Sequence, residues 1–273
     1  MNHILVSKEN FDFFSHILPE DYYTEGTRIT LGAYDNDGVV HGVISYVSLG
    51  YECIIDWIFV EAASRRKGVG TGLIREVLSA IKNTGICPVS ARFEVRKNSG
   101  IYNFFLSFDE FDTEYLFDRY YISSRELMNS KALQKEVKSK LPRHEFFDQS
   151  DRARRAVMAK LEDLENGFDI EDPEKWEESC VPELCLFSGA EDDPQTVIFI
   201  QKRDDGDLEL SYLFSTNPME MISLMGDLRK MIVSKYPNSD LVFDAVNPTS
   251  DGIARKLFPG AIPINIYSAS YPV

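Results

Sequence analysis

Along residues 8–18, KENFDFFSHIL, apolar side chains recur at Phe11, Phe14, Ile17 and Leu18, a spacing that predicts a short amphipathic helix. The pattern then changes to alternation. RITLGAYDNDGVVHGVISYVSLGYECIIDWIFV reads as three strands, with a tight Asp-Gly turn at 35–38 and a second turn near Gly50. Helical spacing returns at 71–82, where Leu73, Ile74, Val77, Leu78 and Ile81 make one apolar face. PVSARFEV (88–95) is the next predicted strand, SGIYNFFLSF (99–108) a short helix and YLFDRYYIS (115–123) a closing strand.

Residues 124–141 and 150–166 are charged and helical in pattern. After them, ELCLFSGAEDDPQTVIFIQKRDDGDLELSYLFS again yields three strands. A helix follows from the Asn217-Pro218 start to about Tyr236, then a strand at 240–246 and a short helix at 250–258. This order repeats the first half, and the register agrees: Phe59 to Leu73 and Phe214 to Leu228 span equal lengths of chain. The pattern predicts an internal duplication. The expected class is α/β, of the α+β type, with domains 1–122 and 123–273, each a mixed, mostly antiparallel sheet flanked by helices.

The 273 residues are 44% hydrophobic and 12% aromatic, ample for packed cores. A net charge of −15 argues against nucleic-acid or anionic-membrane partners and fits a cationic substrate better. Cys53, Cys87, Cys180 and Cys185 form no CxxC and have no histidine cluster beside them, so no metal site is expected. The start MNHILVSKENFDFF lacks the pattern of a signal peptide, and no apolar run reaches the ~18 residues that span a bilayer. A cytoplasmic protein with reduced thiols is the expectation.

Candidate chemistry concentrates in RRKGVGTG, residues 65–72, between a strand and a helix. Glycines at 68, 70 and 72 let backbone N–H groups approach an anion, a helix start adds about half a positive charge, and Arg65, Arg66 and Lys67 add more. A pyrophosphate suits this combination. No lysine follows the glycines as a Walker loop requires, and antiparallel strands precede a GxGxG spacing, which departs from the dinucleotide fingerprint.

RRKGVG matches R/Q-x-x-G-x-G/A and resembles the coenzyme A signature of the GNAT family of N-acetyltransferases. The similarity extends in element order over roughly residues 1–122. It implies that Arg65, Arg66, Lys67, Gly68, Val69, Gly70, Thr71 and Gly72 surround the phosphates of acetyl-CoA. It also implies that Ile58 and Val60 pair by their backbone with the pantetheine arm, and that Asn98 contacts that arm. The family's NxxAxxLY is NSGIYNFF here, so its tyrosine, a common general acid, is Phe105; Tyr102, one helical turn earlier, is the candidate to substitute for it.

An alkyl amine acceptor costs about 4–5 kcal/mol to deprotonate at pH 7, so a base is useful. Glu52, Asp56, Ile58 and Val60 share one parity and hence one expected sheet face, which makes Asp56 and Glu52 the candidate bases, with Glu94 a third. His3, His16, His41 and His144 stand isolated in sequence and show no triad pattern. The expected reaction is direct attack of a primary amine, on a small molecule or a peptide, upon acetyl-CoA. The alternative is a non-catalytic acyl-CoA-binding sensor or assembly module.

Overall fold

The alternating runs become strands and the 3.6-residue runs helices in the computed structural model, which describes residues 1–19, 27–84, 88–97, 99–135, 137, 139, 141–162 and 173–271. The chain forms two compact units, Met1–Leu116 with Ile266–Val273, and Phe117–Asn265.

In the first unit, β1 (Asn2–Leu5), β2 (Arg28–Tyr34), β3 (Val40–Ser48) and β4 (Cys53–Val60) form an antiparallel series. Strand β5 (Val89–Val95) adds parallel to β4. Helix α1 (Phe11–Phe14) covers one sheet face, burying Phe14 with Val6, Ile17, Leu18 and Val43. Helix α2 (Val69–Thr84) and α3 (Ile101–Leu106) cover the other, where Leu73, Ile74, Val77 and Phe105 pack on Ile44, Ile55 and Ala91. Helix α2 starts two residues before the apolar pattern, and β1 was not marked by it at all.

Strand β6 (Asp112–Ile122) is followed by α4 (Ser124–Asn129), α5 (Lys131–Gln134), β7 (Arg143–Glu145), α6 (Asp151–Glu162) and α7 (Pro173–Ser179). Residues 163–166 of the predicted second charged helix lie outside the described residues. Then come β8 (Leu186–Ala190), β9 (Asp193–Lys202), β10 (Leu208–Ser215), α8 (Pro218–Lys235), β11 (Leu241–Ala245), α9 (Pro248–Leu257) and β12 (Ile264–Tyr271). Asn217 caps α8 by accepting the Met219 N–H, and Asn247 with Ser250 forms a capping box on α9.

The second unit repeats the first strand for strand. Strands β7, β8, β9 and β10 are antiparallel in series, and β11 adds parallel to β10. The repeat reaches fine detail. The β3–β4 register skips Asp56, and the β9–β10 register skips Ser211. Each bulge residue stands three before the phenylalanine, Phe59 or Phe214, that sets the register.

The sixth strand of each sheet comes from the other half of the sequence. Beside β5 in the first unit stands β12. Beside β11 in the second stands β6, paired antiparallel from Ile122–Leu241 to Asp118–Ala245. The division of the chain thus differs from the expected 1–122 and 123–273. Residues 117–122 count with the second unit because Tyr120 is buried in its core and donates its hydroxyl to Asp251, while Arg119 makes a bidentate ion pair with Asp244. The last strand was not foreseen; Ile266 and Ala269 are buried. Cys53, Cys180 and Cys185 are free and buried, and Cys87 lies outside the described residues.

Candidate active site

The parallel ladder between β4 and β5 joins Cys53–Val89, Ile54–Ser90 and Ile55–Ala91, and ends there. Beyond Ile55, β4 continues against β3 alone, as far as Val60–Gly42. The bulge at Asp56 falls where the ladder stops, so the two strands part at the residue that breaks the pleat. Ile58, Phe59 and Val60 lie past the last β4–β5 pair, and the Val60 carbonyl there accepts from Arg65.

Ile58 and Val60 are half-buried against the α2-side core, while Trp57 and Phe59 pack on the α1 side. The bulge corrects the expected sharing of a face. Cys53 and Ile55 before it and Ile58 and Val60 after it reach the same core, so alternation puts Glu52 on the opposite face from Ile58 and Val60.

The strand end leads through a turn of 3-10 helix, Ala62–Ser64, into the glycine loop. Arg66 adopts φ 61° and Gly68 φ 83°, two left-handed residues within three positions. A left-handed conformation in such a turn makes successive N–H groups converge. The first bond to enter the helix is Gly72 N–H to Gly68 C=O, so the N–H groups of Val69, Gly70 and Thr71 precede the ladder and point outward. Gly68 is exposed, and a Cβ there meets nothing within 4 Å.

Gly70 has a further use, and both it and Gly72 are already helical. A Cβ on Gly70 would stand 3.1 Å from the Phe104 ring, and one on Gly72 would stand 3.4 Å from His3. Val69 turns its side chain into the core. Arg65, Arg66 and Lys67 are exposed; Arg65 donates Nε–H to the Val60 carbonyl at 2.9 Å and lies over Phe59. Asn98 lies outside the described residues.

The candidate acid and base residues all have partners. Asp56 accepts from Arg28 at 2.9 Å. Glu52 accepts from the Ser90 hydroxyl at 2.5 Å, on the closed side of the strand opening. Glu94 pairs with Arg96. Tyr102 packs its ring on Tyr267, with centroids 4.7 Å apart, and Phe105 is 1% exposed and stacked on Phe93.

One constellation was not foreseen. His41, isolated in sequence, joins Ser64 at 2.7 Å through Nδ1 and Asp35 at 3.0 Å through Nε2. The 35–38 turn could have suggested that Asp35 and His41 meet across a hairpin; nothing in the pattern marked Ser64.

The second unit keeps the opening and loses the loop. Its ladder joins Leu208–Leu241 and Glu209–Val242. Helix α8 then begins four residues after Phe214, whereas α2 begins ten after Phe59, so residues in place of the loop are helical. Glu220, Ser223 and Asp227, in register with Arg65, Gly68 and Gly72, are engaged by the unit's own chain. Ser139 donates to Glu220, Ser223 donates to the Val137 carbonyl, and Arg143 binds both Ser223 and Asp227.

Two copies of one α/β unit, the first with a glycine loop leading into its helix, define a tandem fold. Residues 4–108, which lie in the first unit, match the acetyltransferase (GNAT) family. No curated protein matches the sequence. The fold is similar to a tandem GNAT protein from the clavulanic acid biosynthesis pathway, with TM-score 0.61 and 11% identity over 90% of this chain and 82% of that one. It is also similar to a GCN5-related N-acetyltransferase from Sphaerobacter thermophilus, with TM-score 0.63 and 13% identity over 92% and 82%. Both alignments take in the two units. Among the described residues no helix is long and apolar enough to cross a membrane, and no group of three or more His, Cys, Asp or Glu could hold a metal ion.

Proposed function

We propose that the first unit binds acetyl-CoA and transfers its acetyl group to a primary amine, and that the second unit binds no coenzyme A. The observation that carries this reading is the continuity of the β4–β5 opening with the left-handed loop and the start of α2. An extended amide-containing arm can add to β4 past its last pair with β5, and a diphosphate can then meet the N–H groups of residues 68–71 beside three cations.

The amine nitrogen attacks the thioester carbonyl, a C–N bond forms, the C–S bond breaks, and the amine proton passes to solvent or a base. Asp56 is the carboxylate at the parting of the strands and acts through water; Arg28 fixes its orientation. The leaving thiolate belongs to a group with pKa near ~8.5, so little acid assistance is needed near neutrality. That accounts for a phenylalanine at 105, and the protein contributes chiefly by positioning and by excluding water. A sensor without turnover is the second reading, favoured by the buried Phe105 and by the partners held by Asp56, Glu52 and Glu94.

Thiol release from acetyl-CoA with a panel of amines separates the two: turnover supports the enzyme, while tight binding without turnover supports the sensor. The −15 charge favours a cationic acceptor, whose KM then rises with salt. Calorimetry with acetyl-CoA should give one site per chain. Arg65→Ala should weaken binding about tenfold or more, the loss of one charge-assisted hydrogen bond. Gly70→Asp should abolish it by adding a negative charge and a Cβ against Phe104. Two sites per chain, or full affinity in both variants, would sink the assignment.

A further inference from the structure

The cradle depends on a backbone conformation that does not come free. Arg66 is a non-glycine residue in the left-handed region, a state that persists where neighbouring structure fixes it from both sides. Helix α2 fixes the downstream side. On the upstream side, the turn 61–64 is held at both ends by one residue, His41. The Glu61 N–H donates to the His41 carbonyl at 2.9 Å, and the Ser64 hydroxyl meets His41 Nδ1 at 2.7 Å. Ser64 is 5% exposed and immediately precedes Arg65.

His41 is itself oriented. Asp35 Oδ1 accepts the N–H groups of Asp37 and Val39 within the β2–β3 turn, and Asp35 Oδ2 meets His41 Nε2. The Val39 N–H first, and His41 next, hold the Asp35 carboxyl below the usual aspartate range. An ionised carboxylate only accepts, so the neutral ring carries its proton on Nε2 and Nδ1 accepts from Ser64. The result is a chain, turn to Asp35 to His41 to Ser64, that ends at the mouth of the loop. Ser64 is buried, so the chain serves to orient the loop and not to supply a nucleophile.

We propose that Asp35 and His41 are positioning residues for the diphosphate-binding loop, acting through Ser64. The inference rests on the reading of the first unit as the coenzyme A site. The test compares CoA with acetyl-pantetheine, which keeps the arm and lacks the diphosphate, by calorimetry on the full chain. Ser64→Ala and His41→Ala should raise the Kd for CoA about five- to tenfold, as expected for one lost hydrogen bond, and leave that for acetyl-pantetheine unchanged. His41→Asn, whose Oδ1 can stand near the Nδ1 position, should restore most of the CoA affinity. Ser64→Ala removes only a hydroxyl, and an unchanged melt will show that its fold is intact.

An unaltered CoA Kd, an equal loss for both ligands, or no rescue by His41→Asn overturns the relay. If Gly70→Asp loses CoA while His41→Ala does not, the relay alone falls. If Gly70→Asp binds CoA as wild type does, the diphosphate site is elsewhere and both readings fall.

Discussion

Asp35 shows how one short side chain can serve a turn and a distant loop together. Its two oxygens take three hydrogen bonds, two from the turn backbone and one from His41. These bonds favour the ionised form and lower its folded-state pKa below 3.8. The stability they contribute is therefore full above the unfolded value of 3.8 and is lost as pH falls through the folded one. Wild-type protein should lose more stability than Asp35→Asn when pH drops from about 5 to about 2. Chemical denaturation at the two pH values measures the difference; equal losses would show that the carboxylate is not held as described. Residues of this kind explain what the sequence concealed. Asp35 and His41 are six residues apart across the β2–β3 turn, but Ser64 lies 23 residues beyond His41 and meets it only through the β3–β4 pairing. The glycine loop was legible because its members are contiguous, although Gly70 also avoids a tight contact with Phe104.

Strand β6 is secured to the second unit by Tyr120. Its ring is 1% exposed and its hydroxyl donates to Asp251 at 2.7 Å. Burial, reinforced by Asp251, pushes the phenol up to about 12 from an ordinary value of 10.0. A raised folded value means stability present below pH 10.0 and lost as pH rises toward about 12. Tyr120→Phe should cost about 1 kcal/mol at neutral pH and flatten the alkaline loss above pH ~10. Denaturant titrations on either side of that range decide it; an equally steep alkaline loss in the variant would assign the effect to other groups. At this scale the strand patterns and the turns between them located β2, β3, β4, β8, β9 and β10. They missed β1, which is four residues long, and β12, where Ser268, Ala269 and Ser270 dilute the apolar signal. The bulges at Asp56 and Ser211 were invisible, since an inserted residue shifts parity without leaving a compositional mark. That is why the face assigned to Glu52 changed.

The duplication was read from two phenylalanines and an element order, and the paired bulges bear out that register. The exchange of sixth strands could not be read, because alternation identifies a strand and says nothing of which sheet edge it joins. The first unit is completed by β12 from the far end of the sequence, and the second by β6, which directly precedes it in the chain. A chain ending at residue 122 would therefore carry every element of the proposed coenzyme A site and still lack the strand beside β5. The edge of β5 would present its backbone groups to solvent, and the core would lose Ala269 and the packing of Tyr267 on Phe93 and Tyr102. Residues 1–122 alone should melt without a cooperative transition and bind coenzyme A weakly or not at all. Appending residues 262–273 through a flexible linker should restore both the sharp melt and the affinity. Calorimetric melting and CoA titration of the two chains provide the measurement, with the full-length protein as reference. A fragment of residues 1–122 that melts as sharply as the full chain, and binds as tightly, would show that the sixth strand is dispensable to the first unit.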